Sequence, residues 1–355
     1  MKKYNFYAGP AILPDVVMKK AKDEFLNFRG IGLSVMEISH RSKDFDILIN
    51  EAKEKILKLM NLGDEYSVLF LQGGASQQFG MIPMNFLKEG SADYVNTGAW
   101  AKKAIKEAKL FGNINIPASS EDKDFTYIPK NINYSDNPEY IHITSNETIG
   151  GVQYKNFPDT GNTPLICDMS SDIMSRELDY KKFSMIYAGA QKNIGPSGVT
   201  LVIIKKDFVN KGADNITSML SYKTHFEKDS LYNTPPSFGI YIINLVLDWL
   251  NSKGGLKGIE KINEEKAALL YNILDESDFY KGTAADEDRS LMNVTFRLPS
   301  EDLEKRFIEE SVKEGFVGLK GHRSVGGCRA SIYNAMPIEN IKILVEFMKE
   351  FERKS

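Results

Sequence analysis

Apolar positions recur at a helical period over residues 44–60. Phe45, Ile49, Ala52, Ile56, Leu59 and Met60 fall on one stripe, with Glu51, Lys55 and Lys58 elsewhere. Asn61 and Gly63 close that helix. Short, almost wholly apolar runs lie at 68–71, 94–95, 140–144, 165–168, 183–187 and 199–204. They have the length and composition of strands buried on both faces. Helices are predicted over 14–28 (Val17, Ala21 and Phe25 on one face), from the glycine turn at 73–74 to about 87, and from Trp100 to 109. Strands alternating with helices over about 200 residues predict an α/β fold with a mostly parallel sheet and helices on both faces.

Beyond residue 207 the pattern is irregular as far as a rigid turn, Tyr232-Asn233-Thr234-Pro235-Pro236. A largely apolar helix follows over 237–250. Gly254-Gly255 then breaks the pattern and marks the best domain boundary. The remainder reads helix 258–274, strand 292–298, helix 301–314, strand 328–333 and helix 338–351, which predicts a smaller α+β C-terminal domain.

A chain of 355 residues, 42% hydrophobic and 26% charged, is ordinary for a globular protein and long enough for two domains. A net charge of −3 supplies no general basic field for nucleic acid. The first 20 residues lack the apolar core of a signal peptide, and no apolar run has the length of a membrane span. The two cysteines, Cys167 and Cys328, lie in strand-like runs and make neither a disulfide framework nor a metal site. A reducing cytoplasm is the expected location.

Candidate chemistry centres on Lys192, in the loop between the runs at 183–187 and 199–204. A loop lysine is ordinarily solvated. Aimed into a pocket, its pKa falls by desolvation and the amine is freed to attack a carbonyl. Asp168 ends the run Leu165-Ile166-Cys167-Asp168, where α/β sheets bind ligands. An aspartate against a pyridinium nitrogen and a lysine on the aldehyde are what pyridoxal phosphate requires. Gln72-Gly73-Gly74-Ala75-Ser76 joins a strand to a helix, an arrangement that holds phosphate on backbone N–H groups. Its glycine spacing fits neither the dinucleotide fingerprint nor the ATP P-loop. Trp100 could stack on a ring. Ser145 to Gly151 places hydroxyl and amide groups past a strand end. His142 and His225 match no motif and are read as structural.

The set Tyr7-Ala8-Gly9-Pro10-Ala11, His40-Arg41-Ser42, Gly98-Ala99-Trp100, Asn146-Glu147-Thr148, Ala190-Gln191-Lys192-Asn193, Asn233-Thr234-Pro235-Pro236 and Gly326-Gly327-Cys328-Arg329-Ala330-Ser331 resembles the phosphoserine aminotransferases over the whole chain. These are class V aminotransferases of fold type I. The resemblance implies a large pyridoxal-phosphate domain over 16–253 with a seven-stranded-type sheet. A small domain follows over 254–355, and a segment, 1–15, packs near the small domain and the active site. It implies a homodimer with shared active sites. The activity is a ping-pong transfer in L-serine biosynthesis, from L-glutamate to 3-phosphohydroxypyruvate, giving 2-oxoglutarate and O-phospho-L-serine. Some members also act on 4-phosphohydroxy-L-threonine in pyridoxine biosynthesis, which the motifs leave open.

By the same resemblance Lys192 carries the aldehyde and, with Asp168 at the pyridine nitrogen, forms the catalytic pair. Trp100 stacks on the ring and Thr148 donates to its hydroxyl. Ala75, Ser76 and Gln191 hold the cofactor phosphate, and Asn233 and Thr234 reach it across the dimer. Where some members have arginine, this chain has Ser76, whose hydroxyl with backbone N–H groups can bind phosphate instead. Arg329 takes the α-carboxylate. His40, Arg41, His322 and Arg323 receive the distal anion, the last two from the partner subunit. Arginine's planar fork suits both groups.

Other readings are weighed beside this one. Alanine–glyoxylate transamination needs no second His-Arg anion site. Cysteine desulfuration wants a cysteine on a mobile loop. A non-catalytic pyridoxal-phosphate-binding protein would lack the lysine or the aspartate. A nucleotide-binding protein would carry one of the absent glycine fingerprints.

Overall fold

The computed structural model describes residues 3–355; Met1 and Lys2, the start of the expected 1–15 segment, lie outside the described residues. Seven strands form the main sheet: β1 Tyr66–Leu71, β2 Ser91–Tyr94, β3 Asn113–Asn115, β4 Ile141–Thr144, β5 Leu165–Asp168, β6 Met185–Gly189 and β7 Thr200–Lys205. Their order is β1-β7-β6-β5-β4-β2-β3. Every pairing is parallel except those of β7, which runs antiparallel to both β1 and β6.

Alternate residues of these strands enter two different cores, as a pleated sheet requires. Val68, Phe70, Ile143, Cys167, Ile186, Leu201 and Ile203 face one way. They pack on α2 (Lys43–Leu59) and α5 (Ser237–Ser252). Leu69, Leu71, Tyr94, Ile166, Tyr187, Val202 and Ile204 face the other, against α3 (Gly74–Phe86) and α4 (Ala99–Ala108). The stripe predicted for α2 is buried at Phe45, Ile49, Ala52 and Ile56. Its start is fixed by the Ser42 hydroxyl, which accepts the Phe45 N–H at 3.3 Å. Asn61, at φ 52, ends it.

Two stretches differ from the pattern-based expectation. The first helix, α1 (Asp15–Asp23), stops five residues early. Tyr241 takes the Glu24 carboxylate through a 2.7 Å hydrogen bond, and Phe28 turns into the core edge-on to Tyr241. Phe28 is therefore buried, and Phe25 is left 42% exposed. Strand β3 is polar, Asn113-Ile114-Asn115, and shows no strand-like run in the sequence.

A third core lies towards the C-terminus. It joins α6 (Gly255–Glu276), α7 (Glu301–Lys313) and α8 (Ile338–Arg353) to a three-stranded antiparallel sheet of β8 Lys281–Gly282, β9 Asn293–Arg297 and β10 Cys328–Ser331. Gly254 allows the tight break before α6 by taking φ 87. Phe6 belongs to this core, and Tyr4–Asn5 pairs in parallel with Phe316–Val317. No described helix is long and apolar enough to cross a membrane.

Phe307 is fully buried in the third core and meets Phe296, Phe351 and Tyr280 edge-on at centroid distances of 5.9, 5.1 and 6.2 Å. Phe307→Ala is expected to lower stability by ~3–5 kcal/mol through lost burial and a cavity, read as a lowered urea midpoint.

Candidate active site

Strand register gathers the candidate residues at one edge of the main sheet. Thr200 of β7 pairs with Gly189 of β6 and with Leu71 of β1. Asp168 pairs with Tyr187 and with Thr144. The chain therefore leaves β1, β4, β5 and β6 on the same side, which gathers there Ala75 and Ser76 at the start of α3, Thr148 after β4, Asp168 at the end of β5 and Lys192 after β6.

The turn after β1 reaches α3 through Gly73 at φ 86 and Gly74 at φ 67. A side chain on Gly73 would collide with Gln77. No side chain caps α3, and its first turn has no acidic residue. The N–H groups around Ala75 and Ser76 thus form a positive helix end suited to an anion.

Lys192 Nζ donates to Thr148 Oγ1 at 2.7 Å and lies 4.8 Å from the centre of the Trp100 ring. Its loop is fixed from below. Asn193 donates to the Ile173 carbonyl at 2.6 Å and accepts the Asn334 N–H at 2.9 Å. Burial pulls the Lys192 amine down to about 8, against the attraction of Asp168 and Glu147. Asp168 is buried, and its Oδ1 accepts from the N–H (2.9 Å) and hydroxyl (2.6 Å) of Ser170, which leaves Oδ2 outside both bonds. Burial raises its pKa above the usual carboxylate value, opposed by Lys192. Trp100 Nε1 and Arg329 Nε are buried without partners. Arg329 Nη1 donates to the Thr148 carbonyl at 3.4 Å.

Arg329 and His322 line a cleft of about 610 Å³ that runs along Gly98, Ala99 and Lys102. His322, expected from the resemblance to serve a partner's site, thus borders its own chain's cleft. Its pKa is lowered by burial and by the cations Arg329, Lys103 and Arg323. Arg323 is exposed on the same loop. Gln191 presents its carbonyl to the Ala11 N–H at 2.8 Å. Asn233 donates to Gln72 Oε1 at 3.2 Å, and Gln72 Nε2 reaches the Thr234 carbonyl at 3.5 Å, beside the glycine turn. His40 and Arg41 sit just before α2; among the described residues their side chains bond to none of those round Lys192. His142 is buried, bonds the Tyr187 hydroxyl at 2.9 Å and stacks on Tyr94. His225 bonds the Met219 carbonyl at 3.0 Å.

Three neighbours were not singled out from the sequence. Ser170 holds Asp168, and the Asp-x-Ser spacing is a signal for such a turn. Lys103 places Nζ 4.1 Å from the Trp100 ring centre, one helical turn on. Glu147 bonds the backbone of Trp100 and Ala101, which no local spacing announces.

The family model for class-V aminotransferases matches residues 3–344. The phosphoserine aminotransferase of Desulfosudis oleivorans is 60% identical over 353 residues, 99% of this chain and 98% of the relative. The solved phosphoserine aminotransferase from Bacillus circulans subsp. alkalophilus superposes with a TM-score of 0.98 at 54% identity, covering 99% of each chain. A pyridoxal-phosphate-bound phosphoserine aminotransferase from Trichomonas vaginalis gives 0.94 at 36% identity, covering 98% of this chain and 100% of that one.

Only a neutral amine attacks an acylating reagent. In the cofactor-free protein, acetic anhydride should label Lys192 at a rate that rises with pH and levels off above about 8, while ordinary surface lysines keep rising towards ~10.4. Peptide mass spectrometry across a pH series reads this; a Lys192 curve that tracks the surface lysines would remove the case for a desolvated amine.

Proposed function

The chain belongs to the class-V aminotransferase family, and we propose that it transfers the amino group of L-glutamate to 3-phosphohydroxypyruvate, giving 2-oxoglutarate and O-phospho-L-serine, the transamination of serine biosynthesis. The observation that carries the reading is the end-to-end match to phosphoserine aminotransferases in both sequence and fold. The cofactor is pyridoxal phosphate. The residues present fit it. A buried carboxylate oriented by Ser170, a lysine of lowered pKa, a half-buried indole and an uncapped helix end all belong to one sheet edge.

Bound there, pyridoxal phosphate supplies an aldehyde for covalent capture of the amine and a ring that withdraws electrons from the substrate's α-carbon. Lys192 would hold the aldehyde and, once released by the incoming amine, move the proton at the α-carbon with Nζ; an amine near pKa 8 suits a base that must also return the proton. Asp168, oriented by Ser170, would keep the ring nitrogen protonated. Trp100 would cover a ring face. Thr148, already bonded to Lys192, has its own O–H to offer the ring hydroxyl. The α3 N-terminus at Ala75 and Ser76, with Gln191, would hold the phosphate. Arg329, with Nε uncommitted, would receive the α-carboxylate. His40, Arg41, His322 and Arg323 would supply positive groups for the distal phosphate or carboxylate.

The reading includes a homodimer and a cytoplasmic location. Asn233 and Thr234, and at the distal anion His322 and Arg323, would act across the dimer. It divides the chain into a segment 1–15, a large domain 16–253 and a small domain 254–355.

Glutamate added to the purified holo-protein should bleach the long-wavelength cofactor band, and 3-phosphohydroxypyruvate should restore it where pyruvate and glyoxylate do not. A band indifferent to glutamate would sink the transaminase reading. Lys192→Ala should abolish turnover. Arg329→Ala should raise the KM for glutamate by at least about 30-fold, the ~2 kcal/mol lower bound for losing one partner of a buried charge pair; steady-state kinetics with an unchanged KM would remove Arg329 from the carboxylate.

A further inference from the structure

Glu147 has no part in the roles above, yet its carboxylate is 1% exposed. Oε2 accepts the Trp100 N–H at 3.1 Å and Oε1 accepts the Ala101 N–H at 2.9 Å. Those are orphan donors of the first turn of α4, whose cap residue, Gly98, has no side chain to satisfy them. A Cβ on Gly98 would come within 2.5 Å of the Glu147 carboxyl carbon, so glycine makes room for the carboxylate. Its chain neighbour is Thr148, the residue bonded to Lys192.

We propose that Glu147 is a positioning residue for the transamination: it clips the α4 N-terminus, and Trp100 with it, to the loop that carries Thr148, and it places a second negative charge, beside that of Asp168, in the Lys192 crevice. Both carboxylate oxygens act as acceptors, so the clip uses the ionised form. Burial opposes that form, bringing the group to about 7, and the two N–H bonds and Lys192 favour it. The charges that act on Lys192 are Asp168, Glu147 and Asp172 on the negative side and Arg329 on the positive. Loss of the Glu147 charge therefore disfavours the protonated state of any group formed at Nζ.

This rests on the reading that Lys192 carries the cofactor, and the controls separate the two. Wild-type holo-protein must show a cofactor band that changes with pH, and Lys192→Ala must lose it; failure there removes the functional reading itself. In Glu147→Gln, which keeps the shape and removes the charge, the midpoint of that spectral titration should fall by about one pH unit. In Glu147→Asp, which keeps the charge and withdraws it from Trp100, the midpoint should hold while the dissociation constant for pyridoxal phosphate rises several-fold. A merely structural role would leave the titration midpoint unmoved. A wild-type midpoint in Glu147→Gln, or wild-type cofactor affinity in Glu147→Asp, overturns the proposal. If Glu147→Gln does not fold, the cofactor affinity of Glu147→Asp decides alone.

Discussion

Thr200 is paired with Gly189 on one side and Leu71 on the other, and this register decides where the reactive side chains go. Within the main sheet, β7 is the strand that runs against its neighbours. It brings the chain back through the sheet directly after the Lys192 loop, so the loop is short and anchored at both ends, with Ala190 N–H on the Val199 carbonyl at 3.0 Å. It also pairs with β1 on its other side, which puts the glycine turn and the helix end of α3 on the Lys192 side. A slip of one residue would turn every strand side chain to the opposite core. The nearly complete burial of both faces makes that slip prohibitive.

Burial then sets the chemistry. Desolvation is the largest influence on Lys192, Asp168 and Glu147, and it pushes each towards its neutral form. The attraction between the lysine and each acid offsets part of it, while the two acids repel. The crevice thus holds a lysine brought down to about 8 and a glutamate brought up to about 7, with the Asp168 carboxyl raised beside them. Lys266 is a contrasting case. Its amine is buried with no carboxylate partner, and it donates to the carbonyls of Ile332 (2.9 Å), Tyr333 (2.7 Å) and Asn334 (3.4 Å). Those bonds hold the segment after β10, and Asn334 in turn braces Asn193 beside the lysine.

Most of the main sheet was legible because its central strands are short, almost wholly apolar runs. Asp168 and Lys192 stood out for that reason: each follows a run whose burial could be read from composition. The amphipathic α2 was equally plain. The early end of α1 was not, because it depends on Tyr241, more than 200 residues away, taking Glu24. Strand β3 was hidden because it is polar at the sheet's edge and gains its place from pairing with β2 alone. The clip at Glu147 joins residues 46 apart through backbone N–H groups, which carry no sequence signature.

The N-terminal segment ties the two halves of this arrangement together. Phe6 is buried in the third core, and the Tyr333 hydroxyl donates to the Ala8 carbonyl at 2.7 Å. Three residues on, Ala11 N–H meets the Gln191 carbonyl at 2.8 Å. Between them Gly9 takes φ 151, and a Cβ there would stand 3.3 Å from Lys192 Cγ. A side chain at position 9 would crowd the lysine stem, and the bare backbone avoids it. One strap therefore reaches from the core that supports Arg329's strand to the backbone that supports Lys192. Any shift of the C-terminal layer is felt at the lysine through this strap and through the Asn334–Asn193 bond, two routes that leave the layer at different points. On the proposed reading, in which Arg329 takes the α-carboxylate and Lys192 meets the α-carbon, that double attachment serves the spacing the reaction needs.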